Sequence, residues 1–222
     1  MKQATARACS NIAFIKYWGN RDESLKVPMN ASISMNLDGI FTETRVRWDE
    51  SLASDELVLN TEKTTGQALN RVSEHLSFIR QRLNITSFAS VESVNNFPMG
   101  AGIASSASSF AALTVAAVRA AGGDLSEREL TTIARLGSGS ASRSIPSGFV
   151  IWHQGDSHES SYAESFADPD YWNLVDVIAI ISGEHKAVGS RVGHTSASTS
   201  DLQNARVNGA TERLKICQQA IL

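Results

Sequence analysis

The sequence predicts an α+β fold, a sheet of early, paired strands covered by helices. Three observations predict it. Residues 41–48 alternate, with Thr42, Thr44, Val46 and Trp48 on one face and Glu43, Arg45 and Arg47 on the other, as a half-exposed strand requires. Residues 66–83 switch period: Leu69, Val72, Leu76, Ile79 and Leu83 step by three and four and form one stripe of an amphipathic helix. Strand-type segments come several together early in the chain, which favours helices laid on one sheet over a strictly doubly wound arrangement.

The remaining elements follow in order. Residues 11–18 are β-branched and aromatic-rich and read as a strand, with Trp18 expected in the core and Lys16 snorkelling at its edge. A helix is expected from about Ser106 to Ala121, stopped by Gly122-Gly123. Ser126 and Glu129 have the spacing of a capping box, so a third helix starts there and stops at Gly137. Phe149 to His153 and Val175 to Ser182 read as strands. The tail from Ser200 is helical in composition and has no closing cap at Ile221-Leu222, so the chain is expected to stop within an element.

Composition narrows the function classes. Of 222 residues, 42% are hydrophobic and 19% charged, as in a globular protein, and 20 basic against 23 acidic side chains leave a net charge of −3. That balance provides no basic surplus for a nucleic-acid backbone. The most apolar stretch, Phe110 to Gly122, is too short to span a bilayer. Cys9 and Cys217 lie far apart in no ligand spacing, which argues against a disulfide framework or zinc site and for a cytoplasmic location. The five histidines show no metal or triad spacing and are expected to be structural or exposed.

Two small-residue loops carry the chemistry. In the run Asn95 to Ser108, Gly100 and Gly102 permit close backbone approach, and the following helix offers free N–H groups beside the hydroxyls of Ser105 and Ser106. The run is neither a Walker loop nor a full dinucleotide fingerprint, and taken alone it fits a phosphate cradle or a tightly packed strand–turn–helix junction equally. Gly137 to Arg143 places three serines and an arginine directly after a helix. It suits an anion, with Arg143 able to grip a carboxylate by two parallel bonds, although alone it reads as a solvated loop with a surface arginine. A basic loop, His185 to Arg191, follows the strand expected at 175–182.

Taken together these segments resemble the diphosphomevalonate decarboxylases of the GHMP kinase superfamily. The resemblance covers nearly the whole chain. It is carried by Asn11-Ile12-Ala13 through Lys16-Tyr17-Trp18-Gly19, by Pro28, Asn30 and Ser32-Ile33-Ser34, and by Asn96-Phe97-Pro98 through Ala104-Ser105-Ser106-Ala107. It continues in Ala134-Arg135, Gly137 to Arg143, and Lys186 to Arg191.

The resemblance implies a GHMP-type N-terminal domain over residues 1–180, with a ribosomal-protein-like β-α fold, and the start of a ferredoxin-like second domain over 181–222. It implies ATP and Mg2+, a homodimer, and a reaction in which ATP phosphorylates the 3-hydroxyl of a 5-phosphorylated mevalonate. Phosphate and CO2 then leave together to give an isopentenyl ester for isoprenoid synthesis. Pro98, Gly100, Ala101, Gly102, Ala104, Ser105, Ser106 and Ser108 are the implied triphosphate contacts, with Ser106 also beside the metal. Ser138, Gly139, Ser140 and Arg143 are the implied substrate cradle. Lys16, Tyr17, Asn20, Ser190 and Arg191 are implied at the substrate, and Lys186 near the transferring phosphoryl group.

Two departures stand out. The family's Asp-Ala-Gly-Pro-Asn segment, with the aspartate that acts as base, does not occur and is expected beyond residue 222, so residues 1–222 alone are expected to be inactive. Asn20 replaces the lysine of the family's Lys-Tyr-Trp-Gly-Lys, which suggests a less highly charged ester. A GHMP kinase that phosphorylates without decarboxylating, and a non-catalytic fragment, remain the alternatives.

Overall fold

The computed structural model describes residues 2–98, 105–179 and 190–222. Its organising element is the long strand β4 (Ser32–Asp49). The long β1 (Lys2–Ile15) runs antiparallel along one side of it, from Lys2 opposite Trp48 to Ile15 opposite Ile33. The other side of β4 is shared. Its second half pairs antiparallel with β7 (Phe88–Asn95), and its first four residues pair with β8 (Phe149–Trp152). Parallel to β7 lies β5 (Glu56–Leu59), edged by β6 (Glu62–Thr64), and β9 (Ala163–Ala167) closes the edge beyond β8. Among the described residues this makes one sheet of seven strands, with a separate ribbon of β2 (Asn20–Asp22) and β3 (Val27–Pro28).

The alternation at 41–48 is borne out: Thr42, Thr44, Val46 and Trp48 are buried while Glu43 and Arg45 are exposed. The inner face is covered by α1 (Gln67–Leu83), α2 (Ser105–Ala120) and α3 (Glu127–Gly137). Leu76 and Ile79 from the α1 stripe meet Val46, Trp48, Leu57 and Val91 of the sheet and the alanines of α2 in one core. The small side chains of α2 let it lie close to the strands, and Ala117 accepts a hydrogen bond from the Trp48 indole at 2.9 Å. The capping box forms as expected: the Ser126 hydroxyl accepts from the Glu129 N–H, and the Glu129 carboxylate accepts from the Ser126 N–H at 3.0 Å.

Four expectations are corrected. Strand pairing stops at Ile15, and residues 16–19 form a connecting strap. Trp18 is 40% exposed, since the strap turns away from the sheet at Gly19, where φ is +86°. Residues 175–179 belong to no strand, and the rest of the segment expected to 182 lies outside the described residues. The Gly137–Arg143 segment is no solvated loop: Gly139–Ser144 winds into a 3₁₀ turn that buries Ala141, Ser142 and Arg143, because Ala141 packs into the main core.

Among the described residues after 189 the elements are all helical: α4 (Ser190–Thr195), α5 (Gln203–Asn208) and α6 (Ala210–Ile221). Leu214 and Ile221 of α6 join Ile33, Met35, Leu37 and Phe149 in a second core.

One buried ion pair ties α1 to the sheet. The Asp55 carboxylate accepts from both terminal nitrogens of Arg80, at 2.8 and 3.1 Å, and from the Ala89 N–H at 2.9 Å. Asp55→Ala strands a largely buried guanidinium and a backbone donor, and urea unfolding is expected to show a loss of about 3 kcal/mol. A loss below about 0.5 kcal/mol, the level of an ordinary surface substitution, would mean that water satisfies both donors.

Candidate functional site

The two small-residue loops of the sequence meet in space. Ser106, in the first turn of α2, has its hydroxyl 3.2 Å from that of Ser138, which lies 3.5 Å from that of Ser140. All three residues are half-buried, so a line of hydroxyls crosses from the α2 N-terminus to the 3₁₀ turn. Ser105 opens α2 beside them, and Pro98 is exposed at the end of the preceding segment. Ser108 does not share this face: it is fully buried, its hydroxyl 2.7 Å from that of Thr42 and donating to the Ser105 carbonyl. Gly100, Ala101, Gly102, Ala104 and Lys186 lie outside the described residues. Ser190 and Arg191 begin α4.

Gly139 brings the turn against the strap. A Cβ there would sit 2.7 Å from the Tyr17 ring and 2.8 Å from its hydroxyl, so only glycine allows this approach. The Tyr17 ring is clamped between Trp152, edge-on at 4.7 Å, and His194, stacked at 4.0 Å. Its hydroxyl donates to the Asn20 side chain, whose amide nitrogen donates to Glu23 at 2.9 Å. Burial, with the charge of Glu23, pushes the Tyr17 phenol well above its usual range, so it stays protonated and able to donate.

Arg143 is the electrostatic centre. It is 3% exposed, and among the described residues it has no carboxylate within ion-pair distance. Its terminal nitrogens donate to the Ser32 hydroxyl at 2.6 Å and to the Asn11 side-chain Oδ1 at 3.3 Å, while Nε has no hydrogen-bond partner among the described residues. Burial lowers its pKa to about 10, which leaves it charged near neutrality. Lys16 is exposed at the start of the strap; partial burial and the Arg143 charge lower its pKa as well.

Four further residues were not picked out as site residues from the sequence. Asn11 and Ser32 hold Arg143, and both stand in motifs that carry the family resemblance. His194, expected to be structural or exposed, stacks on Tyr17 and lies 4.7 Å from the Trp18 ring, and its Nδ1 accepts from the Gly19 N–H at 3.0 Å. Arg135 is fully buried, with Nε and Nη1 unpartnered among the described residues and Nη2 donating to the His158 carbonyl at 3.1 Å. Arg135 too stands in a motif that carries the resemblance, whereas for His194 no sequence signal was available, since its neighbours are set by tertiary packing.

Fold and site together define an α+β domain in which Ser106 at the start of α2 meets the serines leading into the 3₁₀ turn that also carries the buried Arg143, an arrangement suited to an anion. The chain belongs to the diphosphomevalonate decarboxylase-like family: residues 8–163 match the model of its N-terminal domain. The diphosphomevalonate decarboxylases of Rattus norvegicus and Homo sapiens are 40% and 38% identical over 95% and 91% of this chain. The chain spans 57% and 54% of their lengths. The mevalonate diphosphate decarboxylase structure from Staphylococcus aureus superposes with a TM-score of 0.91 at 39% identity, covering 99% of this chain and 67% of that one. A solved structure described as MDDEF in complex with MVAPP, AMPPCP and magnesium gives 0.90 at 38% identity, covering 99% of this chain and 68% of that one.

His194 offers a pH test. Burial, reinforced by Arg143 and Arg206, lowers its pKa to about 4 from an ordinary 6.5. Between these values the unfolded chain binds a proton that the folded chain refuses. The stabilisation is therefore complete above pH 6.5 and is lost as pH falls toward 4. Urea unfolding of the wild type is expected to weaken more steeply over this interval than that of His194→Gln, while His75, buried and present in both, cancels. Parallel pH profiles would show that His194 titrates normally.

Proposed function

We propose that this domain forms the ATP- and substrate-binding half of an ATP-dependent decarboxylase acting on a 5-phosphorylated mevalonate. The observation that carries the reading is Arg143, a buried guanidinium with no carboxylate within ion-pair distance among the described residues, on the same 3₁₀ turn as Ser140 of the hydroxyl line. A buried charge left in that state favours an anionic ligand. The family membership, and relatives named as diphosphomevalonate decarboxylases, support the reaction. The solved complex with AMPPCP and magnesium supports ATP and Mg2+ as the co-substrate and metal. A homodimer is carried over from the resemblance. No helix among the described residues is long and apolar enough to cross a membrane.

The residues fit these groups. The start of α2 with Ser105 and Ser106 presents hydroxyls and the positive end of a helix dipole suited to a polyphosphate, and Ser106 can offer its oxygen to Mg2+. When bound, ATP with Mg2+ supplies the phosphoryl group that turns a tertiary hydroxyl into a leaving group. Ser138, Ser140 and Arg143 orient the substrate carboxylate. Arg143 acts by orientation, because holding tightly a carboxylate that is about to depart would stabilise the ground state. Tyr17 and Asn20, with Ser190 and Arg191, take the 5-phosphate end, and Lys186 neutralises charge at the transferred group. Lys16 adds positive field at the mouth of the strap. Residues 1–180 form the first domain in this reading, and 181–222 begin the second.

Arg143→Lys keeps the charge but loses the planar fork, so in a chain of the relatives' length the rate of CO2 and ADP release is expected to fall roughly a hundredfold. An unchanged rate would remove Arg143 from the site and with it the basis of the reading.

The mono- or diphosphate question turns on Asn20. A neutral amide stands where the family carries lysine, and its partner is the carboxylate of Glu23. Both features disfavour a second phosphate charge, which supports mevalonate 5-phosphate as the preferred ester. Asn20→Lys adds one charge-assisted bond, on the order of 1.5–3 kcal/mol, and is expected to move the kcat/KM ratio toward the diphosphate by about tenfold or more. A wild type that already prefers the diphosphate, or a ratio unmoved by the substitution, would refute this.

A further inference from the structure

The strap of residues 16–19 carries Tyr17 and leads into Asn20 of β2, yet it pairs with the main sheet nowhere beyond Ile15. Beyond the β2–β3 ribbon, in which Asn20 pairs with Pro28, side chains hold it, and two of them come from α5. The Trp18 carbonyl accepts from Nη2 of Arg206 at 2.6 Å and from the Gln203 side chain at 3.1 Å. Arg206 Nη1 donates to the buried Asn30 at 2.9 Å, and Asn30 in turn donates to the Lys16 carbonyl at 3.1 Å. Arg206 Nε donates to Gln203 at 3.0 Å. All three guanidinium nitrogens are therefore committed to neutral acceptors, and no carboxylate lies within ion-pair distance of Arg206 among the described residues.

We infer that Arg206, with Gln203, is a positioning residue for the substrate site: it holds the strap directly at the Trp18 carbonyl and, through Asn30, at the Lys16 carbonyl, and so fixes where Tyr17 and Asn20 stand. The inference rests on the reading that Tyr17 and Asn20 face the ester phosphate.

The geometry leaves little slack. Gly19 has φ of +86°, and a Cβ on it would lie 2.8 Å from the Gln203 side-chain nitrogen, so α5 and the strap touch at the glycine itself. The Gly19 carbonyl accepts from the Met29 N–H at 3.1 Å, and its N–H goes to His194. With Trp18 and Gly19 held on both sides, the Tyr17 ring has one place to go, between Trp152 and His194. A guanidinium is suited to this because its fork reaches three acceptors in fixed directions, whereas an ammonium on a flexible stem cannot hold the same three. The arginine thus acts at a distance from the ligand, through the backbone it holds.

The test uses the 222-residue chain and two readouts. Amide hydrogen exchange is followed at Gly19 and Asn20, with Ala89 in the sheet as an internal reference. Calorimetry measures affinity for mevalonate 5-phosphate and, separately, for AMPPCP with Mg2+. Arg206→Met keeps the apolar stem. It is expected to speed Gly19 exchange at least tenfold relative to Ala89, and to weaken the ester about tenfold while the nucleotide changes less than twofold. Arg206→Lys should recover only part of both effects. Should Arg206→Met fail to fold, Gln203→Leu, which keeps the arginine, should show the same pattern in weaker form. Unchanged strap exchange, or equal weakening of ester and nucleotide, would overturn the proposal. If the wild type binds no mevalonate ester, the functional reading fails, and Gly19 exchange alone decides whether Arg206 holds the strap.

Discussion

Arg143 keeps a guanidinium in the interior with hydrogen bonds to Ser32 and Asn11 and no carboxylate within ion-pair distance among the described residues. Removing such a charge from water costs several kcal/mol, and two neutral acceptors return only part of that. The Trp152 ring, 5.7 Å away, adds a weak cation–π attraction. The second half of β1, the first half of β4, the 3₁₀ turn and β8 all converge on this group, and a domain that spends stability in this way needs rigid surroundings. Those come from the long β1–β4 ladder, which holds Asn11 and Ser32 in adjacent strands.

Close approach is the second constraint. Gly137 abuts Phe110 and His75, Gly139 abuts Tyr17, and the alanines of α2 bring that helix onto the sheet. Each small residue shortens a distance that a larger side chain would lengthen, and the sum of these contacts places Ser106 within hydrogen-bond reach of Ser138. The line of hydroxyls is therefore a product of packing density as much as of polar chemistry.

The strap shows the reverse economy. It gains little from the sheet and is held by side chains almost two hundred residues away in sequence. Its position is thus coupled to the docking of the helical tail, whose α6 is anchored by Leu214 and Ile221 on the outer face of the sheet.

The sequence by itself determined the helices α1 and α3, the alternating half of β4, and the two serine-rich turns, because each is written in local spacing: period, cap and small-residue run. The quoted motifs also determined the family. Only the tertiary structure decided that the two turns share one line of hydroxyls, that Arg143 is buried, that Trp18 is not, and that Ser108 faces the core. It alone brought His194, Gln203 and Arg206 to the strap. Local propensity carries no information about which distant backbone carbonyl a side chain will meet. That is settled when the sheet and its helices close, and burial then assigns each polar group the partner it must have.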